Sequence, residues 1–310
     1  LQFAREFGPE QGGLITQQDI QDLSVRTLKP IDFDWNGWSV SSMPAPSSGG
    51  VLIGIGARIL KGMNLRQPFG SIGHYTEIAA AQRMLLEIRT DDFDERIESE
   101  DYVQALLHKM TLDELAGLAG VEWPDSVLGS TTQISAMDSA GDVVSMTLTN
   151  GEGCGCVLEG CGIQVNNLLG EEDINPKGFH QAEAGSYMQT MMAPTIGRLG
   201  SRRIALGSGG SNRLRNAILS TLLNVIEYNM PLDQAVHQPR LHVDRCAQGT
   251  GINFEAEGVP AGLPALLQTG FDDVTEFPSF NMFFGGVHAV ELSDGVFSGV
   301  GDRRRGGRFV

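Results

Sequence analysis

The chain has 310 residues, 41% hydrophobic and 19% charged, an ordinary globular composition with length enough for a large core in one domain or two. A formal charge of −16 sets the surface against phosphate backbones and excludes nucleic acid as a partner. No apolar run approaches the roughly 20 residues that a spanning helix needs.

The amino end, LQFAREFGPE, is charged, lacks the apolar run of a signal peptide and does not start with Met. It reads as an excerpt of a longer precursor, which leaves the compartment unknown. After a glycine turn, Thr16 is placed to cap a short helix from Gln17. Trp38 to Met43 has strand character, and Pro44, Pro46, Ser47, Ser48, Gly49 and Gly50 then form a rigid turn before a helix. HYTEIAAAQRMLLEIR is a helix with Ile78, Ala81, Leu85 and Ile88 on one face. The acidic DDFDERIESED is expected at the surface. Thr111 and Glu114 form a capping box before another helix, and Gly117 to Gly129 is a loose connector.

The pattern changes at Ser130. Ile134–Asp138 and Val143–Thr149 are strand-like runs joined by Ser139-Ala140-Gly141-Asp142, a hairpin signal. Ala193–Leu199 with Arg203–Leu206, and Val287–Leu292 with Val296–Val300, form two further pairs. Between them Ser211 to Tyr228 is a helix with Leu214, Ile218, Leu222, Val225 and Ile226 on one side and Ser211 as its N-cap. Helices and hairpins in this order predict an α+β layered fold with antiparallel sheets.

Several chemistries lack their motifs: there is no G-x-S-x-G elbow, H-E-x-x-H or Walker loop. His237 and His242 are the closest histidine pair and are expected to pack or cap near Pro239. Cys154, Cys156 and Cys161 lack a zinc-knuckle spacing and are read as small buried residues of a glycine-rich turn, with a metal module as a distant alternative. The arginines Arg303, Arg304, Arg305 and Arg308 are expected to form a solvated end or internal charge partners.

The stretch GSTTQISAMDSAGDVVSMTLTNGEG carries the chemistry. A threonine hydroxyl is a poor nucleophile without a base beside it. Cutting the chain before Thr131 would free an α-amine that titrates at about 8 and sits within reach of the residue's own hydroxyl. The same hydroxyl can attack the preceding carbonyl and make the cut itself. Thr147 or Thr149 could hold these groups in register across the sheet. Gly207-Ser208-Gly209-Gly210 precedes a helix, where backbone N–H groups suit an oxyanion. Glu171, Glu172 and Asp173 follow Asn166 and Asn167, and a carboxylate there could hold a substrate ammonium or form a solvated loop.

The order GGLITQQDI, SMPAPSSGG, TTQIS, GIQVNNLLGEED, MMAPTI, GSGGSNR, QPRLH and GDRRRGG resembles that of the γ-glutamyltranspeptidases, or glutathione hydrolases, over nearly the whole chain. These are N-terminal nucleophile (Ntn) hydrolases. The resemblance implies an αββα sandwich of two antiparallel sheets flanked by helices, made from two subunits cut from one precursor. Residues 1–130 would be the rear of the large subunit, and 131–310 the small one, with cleavage between Ser130 and Thr131. It further implies that Thr131 is the nucleophile, that Thr149 orients its amine and that Gly209 and Gly210 form the oxyanion hole. The family's asparagine falls on Asn150 or Gly151 depending on register and is placed at Asn150. The acidic residue that binds the glutamyl amine falls within Glu171, Glu172 and Asp173. The paired serines that hold the glutamyl carboxylate fall on Gln189 and Thr190. Gln133 stands where a histidine is usual, the glycine loop lacks a proline, and Cys154-Gly155 replaces Phe-Gly, so the chain resembles a divergent branch.

The expected substrates are γ-glutamyl compounds such as glutathione, with water or an amino acid as acceptor, without metal or organic cofactor. The expected assembly is a heterodimer of the chain's own two fragments. The alternatives are a glutaryl- or cephalosporin-type acylase and a silent homologue acting as a binding protein.

Overall fold

The computed structural model describes residues 5, 8–63, 65, 67–118, 131–171, 174, 175, 178, 181 and 183–310. Its centre is a sheet of six antiparallel strands in the order β1-β2-β7-β8-β12-β13. These are β1 (Ile31–Trp35), β2 (Trp38–Ser42), β7 (Thr195–Leu199), β8 (Arg202–Gly209), β12 (Gly286–Ser293) and β13 (Val296–Gly301). The β1–β2 hairpin turns on Asn36 and Gly37, both at positive φ. Asn-Gly is the preferred pair for such a two-residue turn, so this hairpin was readable from sequence and was missed.

Helices α2 (Ser48–Met63) and α7 (Leu214–Ile226) cover one face of this sheet and pack on each other. Ile53, Ile204, Leu206, Ile218, Leu222 and Val287 are all buried there. The helix α3 (Ile72–Ile88) lies against α2 with the expected Ile78, Ala81, Leu85 and Ile88 buried. Capping by Thr16 of α1 (Gln17–Asp22) and by Thr111 of α6 (Leu112–Ala116) is present, each as a reciprocal box.

The opposite face receives a two-stranded second sheet, β3 (Thr131–Met137) paired with β4 (Val143–Thr149), which lies on β8 and β12. Strand alternation sends Thr131, Gln133 and Ser135 of β3, and Thr149, Thr147 and Ser145 of β4, toward the six-stranded sheet. Ser145 donates to the Leu206 carbonyl at 2.8 Å and Ser135 to the His288 carbonyl at 3.2 Å, so polar contacts join the two layers.

Four expectations are corrected. The acidic segment after Ile88 is not merely surface: it forms α4 (Asp91–Arg96), which with the following turn buries Phe93 and Ile97 at helical spacing. Ser211 does not cap α7. It begins a short 3-10 turn, Ser211–Arg213, with φ +52, and α7 starts at Leu214. Cys154 and Cys161 are exposed and Cys156 is half-buried, so none of the three is buried as expected; they lie along the ribbon of β5 (Val157–Leu158) with β6 (Ile163–Gln164), whose own residues are exposed or half-buried. A third sheet was not foreseen: β9 (Leu241–Cys246) pairs antiparallel with β10 (Gly249–Glu255), and β10 pairs parallel with β11 (Asp273–Phe277) across the helix α9 (Leu263–Gly270). The connector before Thr131 lies largely outside the described residues.

The C-terminal arginines divide by environment. Arg304 is buried and bonded to Glu255 at 2.6 and 2.7 Å, with Asp302 beside it, while Arg303 stacks on Phe280 at 3.6 Å. Asp302 also pairs with Arg240 at 2.7 Å. Burial would raise the Asp302 carboxyl, but Arg240 and Arg304 hold it down at about 2. Arg304 is therefore an internal charge partner, as the sequence allowed.

Candidate active site

Thr131 opens β3 and stands opposite Thr149, the last residue of β4. Its hydroxyl donates to that of Thr149 at 3.1 Å, and the Gly151 N–H donates to the same oxygen at 3.0 Å. The Thr149 hydroxyl is thus fixed from the backbone while it receives the Thr131 proton. Of Thr147 and Thr149, it is Thr149 that the register sets opposite Thr131. Thr147 faces Gln133 instead, and donates to its Oε1 at 2.6 Å.

Gln133 was read only as a replaced histidine. In the structure its Nε2 donates to Ser135 Oγ, Ser145 Oγ and the Ile134 carbonyl at 2.9–3.1 Å. It lies over Gly207, where any Cβ would strike its amide. Gln133 therefore locks the hairpin that presents Thr131 onto the strand that carries the glycine loop. The alternating polar residues of β3 and β4 carried a period-2 signal for this layer contact.

The glycine loop closes on Thr131 from β8. A Cβ on Gly209 would collide with the carbonyl oxygen of Thr131, so only glycine permits this approach. Gly210 follows at φ +128. Beyond it, Asn212 donates to Asp244 at 2.7 Å, Asp244 meets His242 at 3.3 Å, and Asn216 meets the other His242 nitrogen at 2.7 Å. Burial lowers the proton affinity of His242. Burial opposes ionisation of Asp244, yet the bonds from His242 and Asn212 and the charge of Arg215 hold it well below the usual carboxylate range. This buried chain anchors the turn after Gly210. Sequence reading placed His242 in packing, which fits its burial, and did not find its link to the loop.

The turn after β4 brings in the acidic side chain. Gly151 has φ +62, and a Cβ there would strike both Glu171 Oε1 and Asn167 Oδ1. Asn167 Oδ1 accepts from the Glu152 and Gly153 N–H groups at 2.7 and 3.1 Å. Glu171 is therefore one residue removed from the Thr149 hydroxyl cluster. Asn150 forms an isolated bridge with Glu152 beside it. Glu172, Asp173 and Ser130 lie outside the described residues. Gln189 donates to the Asp94 carbonyl at 2.8 Å, and the Thr190 carbonyl accepts from the Ser48 N–H at 2.9 Å. These contacts tie the segment before β7 to α4 and to the start of α2. Among the described residues no group of three or more His, Cys, Asp or Glu is placed to hold a metal, and no helix is long and apolar enough to cross a membrane.

Two stacked sheets, with a hydroxyl residue opening a strand of one and facing a glycine loop on the other, define the Ntn-hydrolase fold. The chain shares that fold with cephalosporin acylase from Bacillus halodurans at a TM-score of 0.75 and 19% identity, over 97% of this chain and 56% of that one. Within the class, it belongs to the gamma-glutamyltranspeptidase family, whose profile matches residues 2–310.

Similar proteins include a glutathione hydrolase proenzyme of Pseudomonas sp. (strain A14), 30% identical over 83% of this chain and 49% of that protein. The glutathione hydrolase proenzyme of Bacillus subtilis (strain 168) is 26% identical over 96% of this chain and 55% of that protein. The acylase ACY 1 proenzyme of Pseudomonas sp. (strain V22) is 28% identical over 96% of this chain and 54% of that protein. The chain spans about half the length of the curated relatives it matches.

Proposed function

We propose that the peptide between Ser130 and Thr131 is cut by the Thr131 hydroxyl, and that the freed threonine then hydrolyses or transfers γ-glutamyl groups. The observation that carries this reading is the 3.1 Å hydrogen bond from Thr131 to Thr149, made where Gly209 closes on the Thr131 carbonyl. In the proposed reaction the Thr131 oxygen attacks the γ-amide carbonyl of glutathione or a similar donor, and the α-amine takes the hydroxyl proton. The N–H groups of Gly209 and Gly210 face the oxyanion. The C–N bond breaks, the leaving amine takes the proton, and a glutamyl ester remains on Thr131. Water or the amine of an amino acid then attacks the ester and restores the hydroxyl. Glu171, whose carboxylate lies over Gly151 beside Thr149, is the acidic residue proposed among the described residues to hold the donor's ammonium. Asn150, Gln189 and Thr190 complete the proposed binding set, and no step calls for a metal or an organic cofactor.

A second reading keeps this chemistry and changes the donor to a glutaryl or cephalosporin-type amide. It is favoured by the 28% identity to an acylase proenzyme over nearly the whole chain, and by the polar pair at Gln189 and Thr190.

Denaturing electrophoresis of the protein with N-terminal sequencing tests the common step. Two pieces are expected, one starting at Thr131, and a Thr131→Ala variant is expected to remain whole. Wild-type protein that stays whole on long incubation and turns over no acyl donor would instead be a silent homologue. Release of p-nitroaniline from γ-glutamyl but not glutaryl anilide selects the first reading over the second.

A further inference from the structure

The β5–β6 ribbon carries cysteines that neither the fold nor the proposed chemistry has used. Cysteine is among the residue types most often buried. Yet Cys154 and Cys161 are exposed and Cys156 is half-buried. Packing does not account for them, and the backbone brings two of them together. The Cys154 N–H donates to the Val165 carbonyl at 3.1 Å, and the Val165 N–H donates to the Cys156 carbonyl at 2.9 Å. In an undisturbed antiparallel pair one residue would exchange both bonds with Val165. Here Gly155 opens a bulge between the two cysteines, at φ +77, and the chain bends there. Cys154 and Cys156 consequently stand opposite the same residue.

An extended chain holds residues two apart at about 7 Å between Cα atoms, the limit of what a disulfide spans. A bend between them shortens that separation into the bonding range. The base of the ribbon is fixed. Asn167 Oδ1 accepts from the Glu152 and Gly153 N–H groups, and the Gly153 N–H also reaches the Asn150 carbonyl at 2.8 Å. The backbone of the pair is thus set before any bond forms, which lowers the cost of closing a ring. Cys161 sits apart, beyond the Val157–Gln164 and Leu158–Ile163 pairs, with its thiol on the Leu158 carbonyl at 3.5 Å.

We propose that Cys154 and Cys156 form a dithiol–disulfide site that exchanges with small soluble disulfides, separately from the Thr131 chemistry. Cys154, the more exposed of the two, attacks as its thiolate one sulfur of a disulfide R–S–S–R. That S–S bond breaks and one R–S⁻ leaves. The Cys156 thiolate then attacks Cys154 Sγ in the mixed disulfide, and the second R–S⁻ leaves as the Cys154–Cys156 bond forms. The protons of both cysteines end on the two released thiols. The pair has lost two electrons and two protons, and the small disulfide has gained them. The reverse reaction, with two small thiols, restores the pair.

The test takes the full chain, reduced and freed of reductant, and equilibrates it with glutathione and glutathione disulfide at graded ratios. Acid quenching, blocking of the remaining thiols with N-ethylmaleimide and peptide mass analysis read the state of each cysteine. The expected result is a peptide holding Cys154 and Cys156 that loses two hydrogens and both maleimide labels together, with one midpoint across the ratios. In Cys156→Ser the glutathione adduct on Cys154 has no second thiol to displace it, and is expected to last at least about 10-fold longer than in wild type. Cys161→Ser and Thr131→Ala are expected to exchange as wild type does. Serine is close to cysteine in size and neither Cys156 nor Cys161 is buried, so these variants are expected to fold. A bond from Cys154 or Cys156 to Cys161 would overturn the proposal. So would an adduct equally persistent in wild type and Cys156→Ser, thiols that keep both labels at every ratio, or loss of exchange in Thr131→Ala.

Discussion

At the scale of single residues, the site depends on a register. Thr131 faces Thr149 because the strands pair through a turn closed by Asp138 and Gly141, and a slip of one residue would turn Thr131 away from the six-stranded sheet. The pairing was legible, since both strand runs and the turn between them stand in the sequence. Glu171 was legible only as one of three acidic neighbours, because its approach to Gly151 depends on the path of a long loop. The pairing makes a sharp prediction for Thr149. Thr149→Val keeps the shape and removes the oxygen that accepts from Thr131. Misorientation of the nucleophile is expected to slow both self-cleavage and turnover by about 10- to 100-fold. Thr149→Ser, which keeps the oxygen, should stay within several-fold of wild type. Single-turnover rates and the time course of cleavage on gels measure both. Equal rates in all three proteins would show that the hydrogen bond is idle.

At the scale of elements, the sequence displayed amphipathic faces well and buried exceptions poorly. The helices α3 and α7 and the hairpins β7–β8 and β12–β13 were read from periodicity and turn residues, whereas β1–β2 was missed and Ser48, Gly49 and Gly50, read as a turn, belong to the first turn of α2. In α4 and the turn after it, by contrast, a run of acidic side chains hid Phe93 and Ile97. The start of α7 was misplaced because Ser211 has the composition of an N-cap but the positive φ of a tight turn. Gln133 belongs to this scale, since it joins two layers. Gln133→Ala removes bonds to Ile134, Ser135, Ser145 and Thr147 and leaves an empty space over Gly207. The expected cost is about 2–4 kcal/mol, as for several partly satisfied buried hydrogen bonds. A Tm lowered by about 5–10 °C follows for a domain of this size. Thermal melting in parallel with the cleavage time course is the measurement. A looser hairpin should also process more slowly, and a variant that melts and processes like wild type would mean that the layers are held elsewhere.

At the scale of the whole molecule, the proposed cut would fall between two segments that share one sheet. The strand β2, before the cut, pairs with β7, after it, through Ser39 to Ser42 and Thr195 to Arg198. Ser47 donates to the Met192 carbonyl at 2.5 Å, and Trp35 donates to Glu227 at 2.5 Å from inside the core. The helices α2 and α7, from either side of the cut, bury their faces against each other. Breaking one peptide therefore removes none of the contacts that join residues 1–130 to 131–310. The outer face of the β3–β4 hairpin shows the converse: Ile134, Val144, Met146 and Leu148 are 40–54% exposed, an apolar surface of the kind an αββα sandwich covers with its second helical layer. Two pieces seen on a denaturing gel are accordingly expected to elute as one particle in native size exclusion, and to separate only when denaturant melts the sheet. Since β2 and β7 are held by backbone hydrogen bonds and buried apolar surface rather than surface ion pairs, raising the salt concentration to about 1 M should not part them. Separation of the pieces by salt alone would mean that the shared sheet is not what holds the cleaved protein together.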